Sequence, residues 1–332
     1  MTRNRIITAA VVLLLLLLGF GLLNGRHDSI QTVTSLTLSD NLDSIAYYPN
    51  NSLMVVQSGE FRAYDINSQK RTVLSQSLRD LDNSDSVQVS SDGKYILFHL
   101  TRASEGTALG NQLAARNLDT GKDYWWLYSI QNKTYSPLEP GTLTAQFYGD
   151  TITSLRLVGT SEQLVLYDTK TTAVDGRIST ATVSDFAKAS SGYVVIINSQ
   201  ASYTTDGVVY RVIGPADKIV GASSDGRVVW RTGSKLIQFD SKKQSTKILA
   251  SHVYGSQVWS NNSFVYTTYK SEQLTASTQH LWVYDMAKNT KVEWRLDKKL
   301  NQKVISPVSL LASKAVVLKD DTESIYLVVA QH

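Results

Sequence analysis

The stretch Leu281 to Trp294 reads L-W-V-Y-D-M-A-K-N-T-K-V-E-W. An alternating apolar strand ends in aromatic-Asp, a polar turn rich in Lys and Asn follows, and a second strand begins. Versions of the pattern return at Phe61 to Leu74 (F-R-A-Y-D-I-N-S-Q-K-R-T-V-L), at Leu164 to Arg177 (opening L-V-L-Y-D-T-K-T-T) and at Leu236 to Leu249 (L-I-Q-F-D-S-K-K-Q-S-T-K-I-L). A degenerate copy at Trp125 to Leu138 carries Ser129 in the Asp position. The Asp is expected to accept a hydrogen bond from a backbone N–H two residues on, and Ser129 to do so more weakly. The alternating Tyr, Leu and Val side chains supply a face that packs on a neighbouring sheet.

Ahead of these segments come hairpin halves: Ser44 to Val56, Ser86 to Phe98 (S-V-Q-V-S-S-D-G-K-Y-I-L-F), Lys218 to Trp230 (K-I-V-G-A-S-S-D-G-R-V-V-W) and Ser256 to Tyr266. Weaker copies lie at Thr144 to Val158, Ser184 to Ile197 and Val304 to Leu318. Their Asp-Gly and Asn-Asn centres tolerate the positive φ of tight β-turns and set strand register. One hairpin half plus one aromatic-Asp half makes a four-stranded unit. The units recur at roughly 35 to 50 residues, the spacing of propeller blades. The expected fold is therefore all-β, a single β-propeller of about seven four-stranded blades, within about six to eight. The last unit, from Val304, has three good strands. Gln31 to Leu38 is expected to supply its fourth, closing the ring and covering an exposed sheet edge. No amphipathic helix is expected. Gly207 to Ile213 is read as the third strand of the fourth unit.

The S-S-D-G-K-Y-I-L-F segment at 90 to 98 resembles the S-P-D-G-K signature of TolB-type propeller repeats, with Ser91 in place of Pro. L-W-V-Y-D at 281 to 285 is similar to the strand ending in Trp-Asp of WD40 repeats, with Tyr284 in place of Trp. The resemblance spans residues 31 to 332 and implies a propeller. The Gly-His dipeptide of WD40 blades is missing, and with it the His-Asp network of that family. In such folds strands a to d run outward from the axis. The a–b and c–d turns share one face (here the turn face), and the b–c and d–a loops share the other (the insertion face). The long insertions Thr101 to Asp123, Ser199 to Asp206 and Lys270 to Gln279 are assigned to b–c loops.

The N-terminus divides into a short cytoplasmic segment (1–5), an uncharged apolar run from Ile6 to Leu23, and a polar linker (24–30) ahead of the propeller (31–332). A run of about 18 apolar residues suffices to cross the hydrocarbon core as a helix. Arg3 and Arg5 precede it, and Arg26 after it is offset by Asp28, which keeps the N-terminus cytoplasmic and exports the rest. The expectation is a single-pass cell-membrane protein, or a secreted one if the run is a cleaved signal. If the anchor stays, a linker of about seven residues reaches at most roughly 25 Å, so the domain rides close to the bilayer with its insertion face outward. No cysteine occurs, so the core must hold without disulfides. Residues 1 to 29 hold three Arg and one Asp, leaving 30 basic against 28 acidic residues in the exported part. That near-neutral balance, without a dense basic run, gives no support for nucleic-acid binding.

No catalytic residue, metal site or cofactor is assigned. There is no H-E-x-x-H pair and no G-x-S-x-G elbow, and His99 reads as a strand residue. Asp80, Asp82 and Asp85 lack the Gly and Glu of a calcium loop and read as a solvated turn. Asn50, Asn132 and Asn261 form N-x-S/T sequons in predicted turns. The binding candidates cluster around the largest insertion: Arg102, Glu105, Arg116, Trp125 and Trp126. Alternation puts the two Trp on opposite strand faces; either one packs between blades and the other is exposed as an anchor for a protein or glycan, or both are core. The leading expectation is an extracytoplasmic, monomeric binding or scaffolding module with a protein or glycan partner at the cell envelope. The rivals are a propeller enzyme acting on glycans as a hydrolase or lyase, and an envelope-assembly factor similar in role to TolB.

Overall fold

The computed structural model describes residues 29–37, 44–49, 52–65, 68, 70–148, 151–158, 161–168, 174–179, 183–260, 262–270, 279–298, 300–311, 315–322 and 324–330. Strands group into antiparallel four-stranded sheets in chain order, as the repeat period predicts. Blade 1 comprises Ser44–Tyr48, Ser52–Gln57, Glu60–Asp65 and Arg71–Val73. Blade 2 comprises Ser84–Val89, Tyr95–Leu100, Tyr124–Ser129 and Thr134–Pro137. Blade 3 comprises Thr142–Tyr148, Thr151–Val158, Ser161–Asp168 and Val174–Ser179. Blade 4 comprises Asp185–Ala189, Gly192–Ile197, Gln200–Thr204 and Arg211–Pro215. Blade 5 comprises Lys218–Ala222, Arg227–Thr232, Lys235–Asp240 and Ser245–Ala250. Blade 6 comprises Val253–Ser260, Ser263–Tyr269, Gln279–Asp285 and Thr290–Arg295. Blade 7 takes Ile305–Leu311, Ala315–Asp320 and Ile325–Ala330 from the C-terminus.

The fourth strand of blade 7 comes from the other end of the chain. Ser29–Thr37 runs antiparallel to Ile325–Ala330, with Val33 opposite Ala330 and Thr37 opposite Tyr326. Its first four residues, Ser29 to Thr32, also pair in parallel with Val292 to Arg295, the outer strand of blade 6. One N-terminal strand thus stitches two blades into a single hydrogen-bonded sheet. Because it begins at the end of the blade where the a–b and c–d turns lie, Ser29 and the 101–123 insertion sit at opposite ends of the blades.

In blade 2 the middle strands bury both faces, so their alternate side chains serve two different interfaces. Ile96, Phe98, Trp126 and Tyr128 pack against Met54, Val56 and Phe61 of blade 1. The intervening Leu97, Trp125 and Leu127 pack against Ala145 and Ile152 of blade 3. Comparable clusters join blade 3 to 4, 4 to 5, 5 to 6 and 6 to 7. The ring closes where Ala315, Val317 and Leu327 of blade 7 meet Leu53 and Val55 of blade 1.

The turn chemistry follows the sequence closely. At S-S-D-G-K the Ser90 hydroxyl donates to Asp92 Oδ1 (2.8 Å) and accepts from Tyr95 N–H (2.9 Å), while Gly93 takes φ +71°. Ser223, Asp225 and Arg227 repeat the arrangement around Gly226, at φ +92°. The c–d turns differ in one detail from the two-residue expectation, since the donor is usually three residues on. Asp65 accepts from Ser68 N–H (2.6 Å), Asp285 from Lys288 (3.0 Å) and Ser129 from Asn132 (3.2 Å). Asp240 accepts from both Lys242 and Lys243 (3.0 Å each).

Three expectations need correction. Ser199 to Asp206 is not an insertion, because Gln200–Thr204 is the third strand of blade 4 and follows a tight Asn198-Ser199 turn in which both residues have positive φ. Gly207 to Ile213 is accordingly the following loop plus the start of the outer strand, not the third strand. The 101–123 insertion is partly helical: Ala108–Ala115 forms an α-helix with Thr107 as its N-cap, accepting from Gly110 N–H (3.1 Å). Leu109 and Leu113, one turn apart, bury the helix against blades 1 and 2. The apolar run 6–23 and the greater part of the 270–279 insertion lie outside the described residues, and among those described no helix is long and apolar enough to cross a membrane.

The two-sided packing predicts that Trp126→Ala, which empties the fully buried centre of the blade 1–blade 2 interface, lowers stability by about 3–5 kcal/mol. Urea unfolding of the two proteins measures it. A loss below about 1 kcal/mol would show that the interface collapses around the missing ring.

Candidate functional site

Where the inner strands begin, on the insertion face, the channel widens into a cavity of about 1040 Å³. Its wall draws on Asp85 of blade 2, Asp217, Lys218 and Arg231 of blade 5, Tyr254 and Gln257 of blade 6, and Pro307 of blade 7. The blade 5 side is preorganised by the backbone. Asp217 Oδ2 accepts from Gly233 N–H (2.5 Å), and Arg231 donates to Gly233 O (2.7 Å) and Gly255 O (3.0 Å). Gln257 Nε2 donates to the same Gly255 carbonyl (2.6 Å). Lys218 is exposed and offers a cation to the cavity.

Beside Asp85 stands an imidazole held between two carboxylates. His99 Nδ1 lies 2.7 Å from Asp85 Oδ1, and Nε2 lies 3.3 Å from Asp123 Oδ2, at the end of the insertion. The ring tilts against Trp125 with centroids 5.2 Å apart. An imidazolium can donate to both acids, and a neutral ring to one. His99 is a strand residue, as its pattern predicts, but it also ties the insertion to the inner strand.

The predicted binding residues do not converge. Arg102 and Glu105 are exposed, and Arg116, also exposed, donates to Pro137 O (3.2 Å) at the outer strand of blade 2. Trp125 is 6% exposed and Trp126 0%. The opposite-face expectation for the two indoles holds, but both faces are interior, so neither indole is an exposed anchor. The expectation of a solvated turn at Asp80, Asp82 and Asp85 also fails for Asp80. It is buried in a 3₁₀ turn, Arg79–Asn83, and its Oδ1 accepts from Ser104 N–H (3.1 Å), fastening the start of the insertion. Asp82 Oδ1 accepts from Gly59 N–H (2.6 Å). Among the described residues no group of three or more His, Asp and Glu side chains is placed to hold a metal ion.

No family model matches this chain, and no curated protein does. Solved structures do. The chain is similar to the β-propeller domain of the Trilobed protease from Pyrococcus furiosus, at 11% identity and a TM-score of 0.55, over 86% of this chain and 93% of that one. It is similar to virginiamycin B lyase from Staphylococcus aureus, at 10% identity and a TM-score of 0.53, over 90% of this chain and 98% of that one. TolB from Acinetobacter baumannii aligns over 76% of this chain and 53% of that one, at 17% identity and a TM-score of 0.42. The structural likeness to the first two establishes the β-propeller fold and, at such low identity, nothing about activity. The S-S-D-G-K and aromatic-Asp segments are therefore marks of the scaffold.

Behind the cavity wall, Asp185 joins blade 4 to blade 5, accepting from Ile219 N–H (2.7 Å) and Phe186 N–H (2.9 Å). Burial raises its pKa above the ordinary 3.8, and the two N–H groups and nearby Lys218 only partly offset this. A raised folded-state pKa means that the contribution to stability is complete below the unfolded value and is lost as pH rises through the folded value. Asp185→Asn removes that titration along with one of the two bonds. The variant is expected to be less stable than the wild type at acid pH, and the gap to narrow as pH rises through the carboxylate range towards 7. Urea midpoints measured across that range test this, and a gap independent of pH would exclude it.

Proposed function

We propose that this chain is a membrane-anchored, extracytoplasmic β-propeller that binds a protein or glycan partner at the cell envelope through its channel mouth. The observation that carries the reading is the 1040 Å³ cavity with its mixed polar wall, on the face opposite the start of the N-terminal strand. Loops gathered on a rigid scaffold are the usual place for recognition, and a concave polar site with a few fixed groups suits a side chain or a sugar. The uncharged run from Ile6 to Leu23 supports the anchor and the outward direction of the cavity. A second reading, a hydrolase or lyase acting on glycans, draws on His99 between Asp85 and Asp123 at the cavity rim.

The native chain has no cysteine, so a single cysteine carries a photo-crosslinker to one defined place. Gln257→Cys at the cavity is expected to trap a partner in cells, and Lys133→Cys on the opposite face is not. Adding Lys218→Glu to the first variant is expected to cut the adduct by about fivefold, the equivalent of roughly 1 kcal/mol at an interface. Equal adducts from both faces would remove the channel mouth from consideration.

A further inference from the structure

The turn face carries its own asymmetry in blades 4 to 6. In blade 4 the loop between Gln200–Thr204 and Arg211–Pro215 presents Val208 and Val209 to solvent, 73% and 69% exposed. The exposure is built into the loop. Asp206 Oδ1 accepts from the N–H groups of both valines (2.9 Å each), Gly207 N–H donates to Thr204 Oγ1 (2.8 Å), and the Tyr210 hydroxyl donates to Gly207 O (2.7 Å). Those two backbone bonds hold the Asp206 carboxyl below the usual range. A network of this kind fixes an apolar tip in place with no cover over it.

Cations surround the tip. Arg211 follows it and bonds Gln244 on the next blade. Lys242 and Lys243 are exposed, and neither ammonium has a partner among the described residues. Lys243, Lys247 and Arg227 line a groove of about 140 Å³ between blades 5 and 6, together with the Asp240 carboxylate, Gln238, Ser245, Thr246 and Asn289, so that three cations face one acid. The acids nearby already have partners. Asp240 accepts from two backbone N–H groups, and Asp225 and Asp285 pair with Arg227 (3.4 Å) and Lys288 (3.5 Å).

We propose that the turn face of blades 4 to 6 docks on an anionic lipid bilayer, with Val208 and Val209 entering the interfacial layer and Lys242, Lys243, Lys247 and Arg211 meeting headgroup phosphates. This rests on the reading of residues 6–23 as an anchor, which delivers this face to the membrane because the N-terminal strand starts on it. Exposed apolar residues ringed by Lys and Arg are what an interfacial contact requires. Each basic residue close to an anionic surface strengthens binding by about fivefold.

The test uses the full chain in nanodiscs of phosphatidylcholine alone or mixed with phosphatidylglycerol. An environment-sensitive fluorophore sits on Val208→Cys, or on Glu105→Cys at the insertion face as a control. In anionic discs the emission at 208 is expected to shift to the blue and its quenching by aqueous iodide to fall about fivefold, while the label at 105 stays open. Lys242→Gln with Lys243→Gln restores quenching at 208. Protection at 105 instead of 208, or equal iodide access at 208 in both discs, overturns the proposal. Relief of protection by millimolar inorganic phosphate at constant ionic strength would show a soluble phosphate site and overturns the lipid assignment. If the chain fails to float with discs of either composition, the anchor reading fails. The same label is then read on the unanchored chain with vesicles of both compositions, where protection at 208 on anionic vesicles alone sustains the docking surface and its absence sinks it.

Discussion

The structure depends on one constraint: middle strands such as Tyr95–Leu100 and Tyr124–Ser129 of blade 2 are apolar on both faces. Ile96 and Phe98 face one neighbour and Leu97 the other, and Trp126 and Trp125 divide in the same way. Such a sheet has no wet side, so each blade needs a blade on either hand and the array must end by meeting itself. The meeting point is the cluster of Leu53, Val55, Val317 and Leu327. Hydrogen bonding reinforces the closure, because Ser29–Thr37 completes blade 7 by pairing with its third strand and also pairs with the outer strand of blade 6. Blade 7 is secured further by Lys303, whose ammonium donates to the buried Asp320 carboxylate and to the Tyr326 hydroxyl. Burial opposes the charge on Asp320, and the donors around it nonetheless hold its pKa well below the carboxylate range, so the pair stays ionised.

What the sequence made legible is what local chemistry decides. Asp-Gly in S-S-D-G-K and S-S-D-G-R admits few turns other than the ones observed, and aromatic-Asp before a polar run marks a strand end through one carboxylate capping the turn. The orphan strand at 31 to 38 was readable because a three-stranded last unit leaves an edge to be covered. Blade 4 departs from the expected pattern for the converse reason. Its b–c turn is Asn198-Ser199, both at positive φ without a glycine, and its third strand ends at Thr204 rather than at an aromatic-Asp pair. The helix in the insertion is only eight residues long, contains Gly110, and is held by two leucines and a threonine cap, too little periodicity to stand out.

The cavity was not legible for a different reason. Asp85, Asp217, Arg231, Gln257 and Pro307 come from four blades, and each sits in a short, ordinary-looking segment. No spacing rule connects them, since their proximity is created by ring closure alone. The Trp pair beside the longest insertion is conspicuous in the sequence and suggests an anchor, yet both rings are buried. In a middle strand buried on both faces, as in blade 2, an aromatic on either face is core by default, and solvent is reached from outer strands, strand ends and loops.

Connectivity also decides how the two ends of the ring differ. Every b–c and d–a connection opens on one end and every a–b and c–d turn on the other, so insertions and capped turns cannot mix. The insertion end gains shape, through the 101–123 segment and the widened channel. The turn end gains repetition: each c–d turn needs a cap and a polar run to follow it, and in blades 5 and 6 that run is lysine-rich, S-K-K-Q-S-T-K and M-A-K-N-T-K. A near-neutral domain thereby places cations on one end without any basic stretch that composition would flag. The N-terminal strand, by filling the outer position of blade 7, begins at that same end. The strand that closes the ring thus also determines which end of the propeller an upstream segment holds, and leaves the channel mouth on the far side.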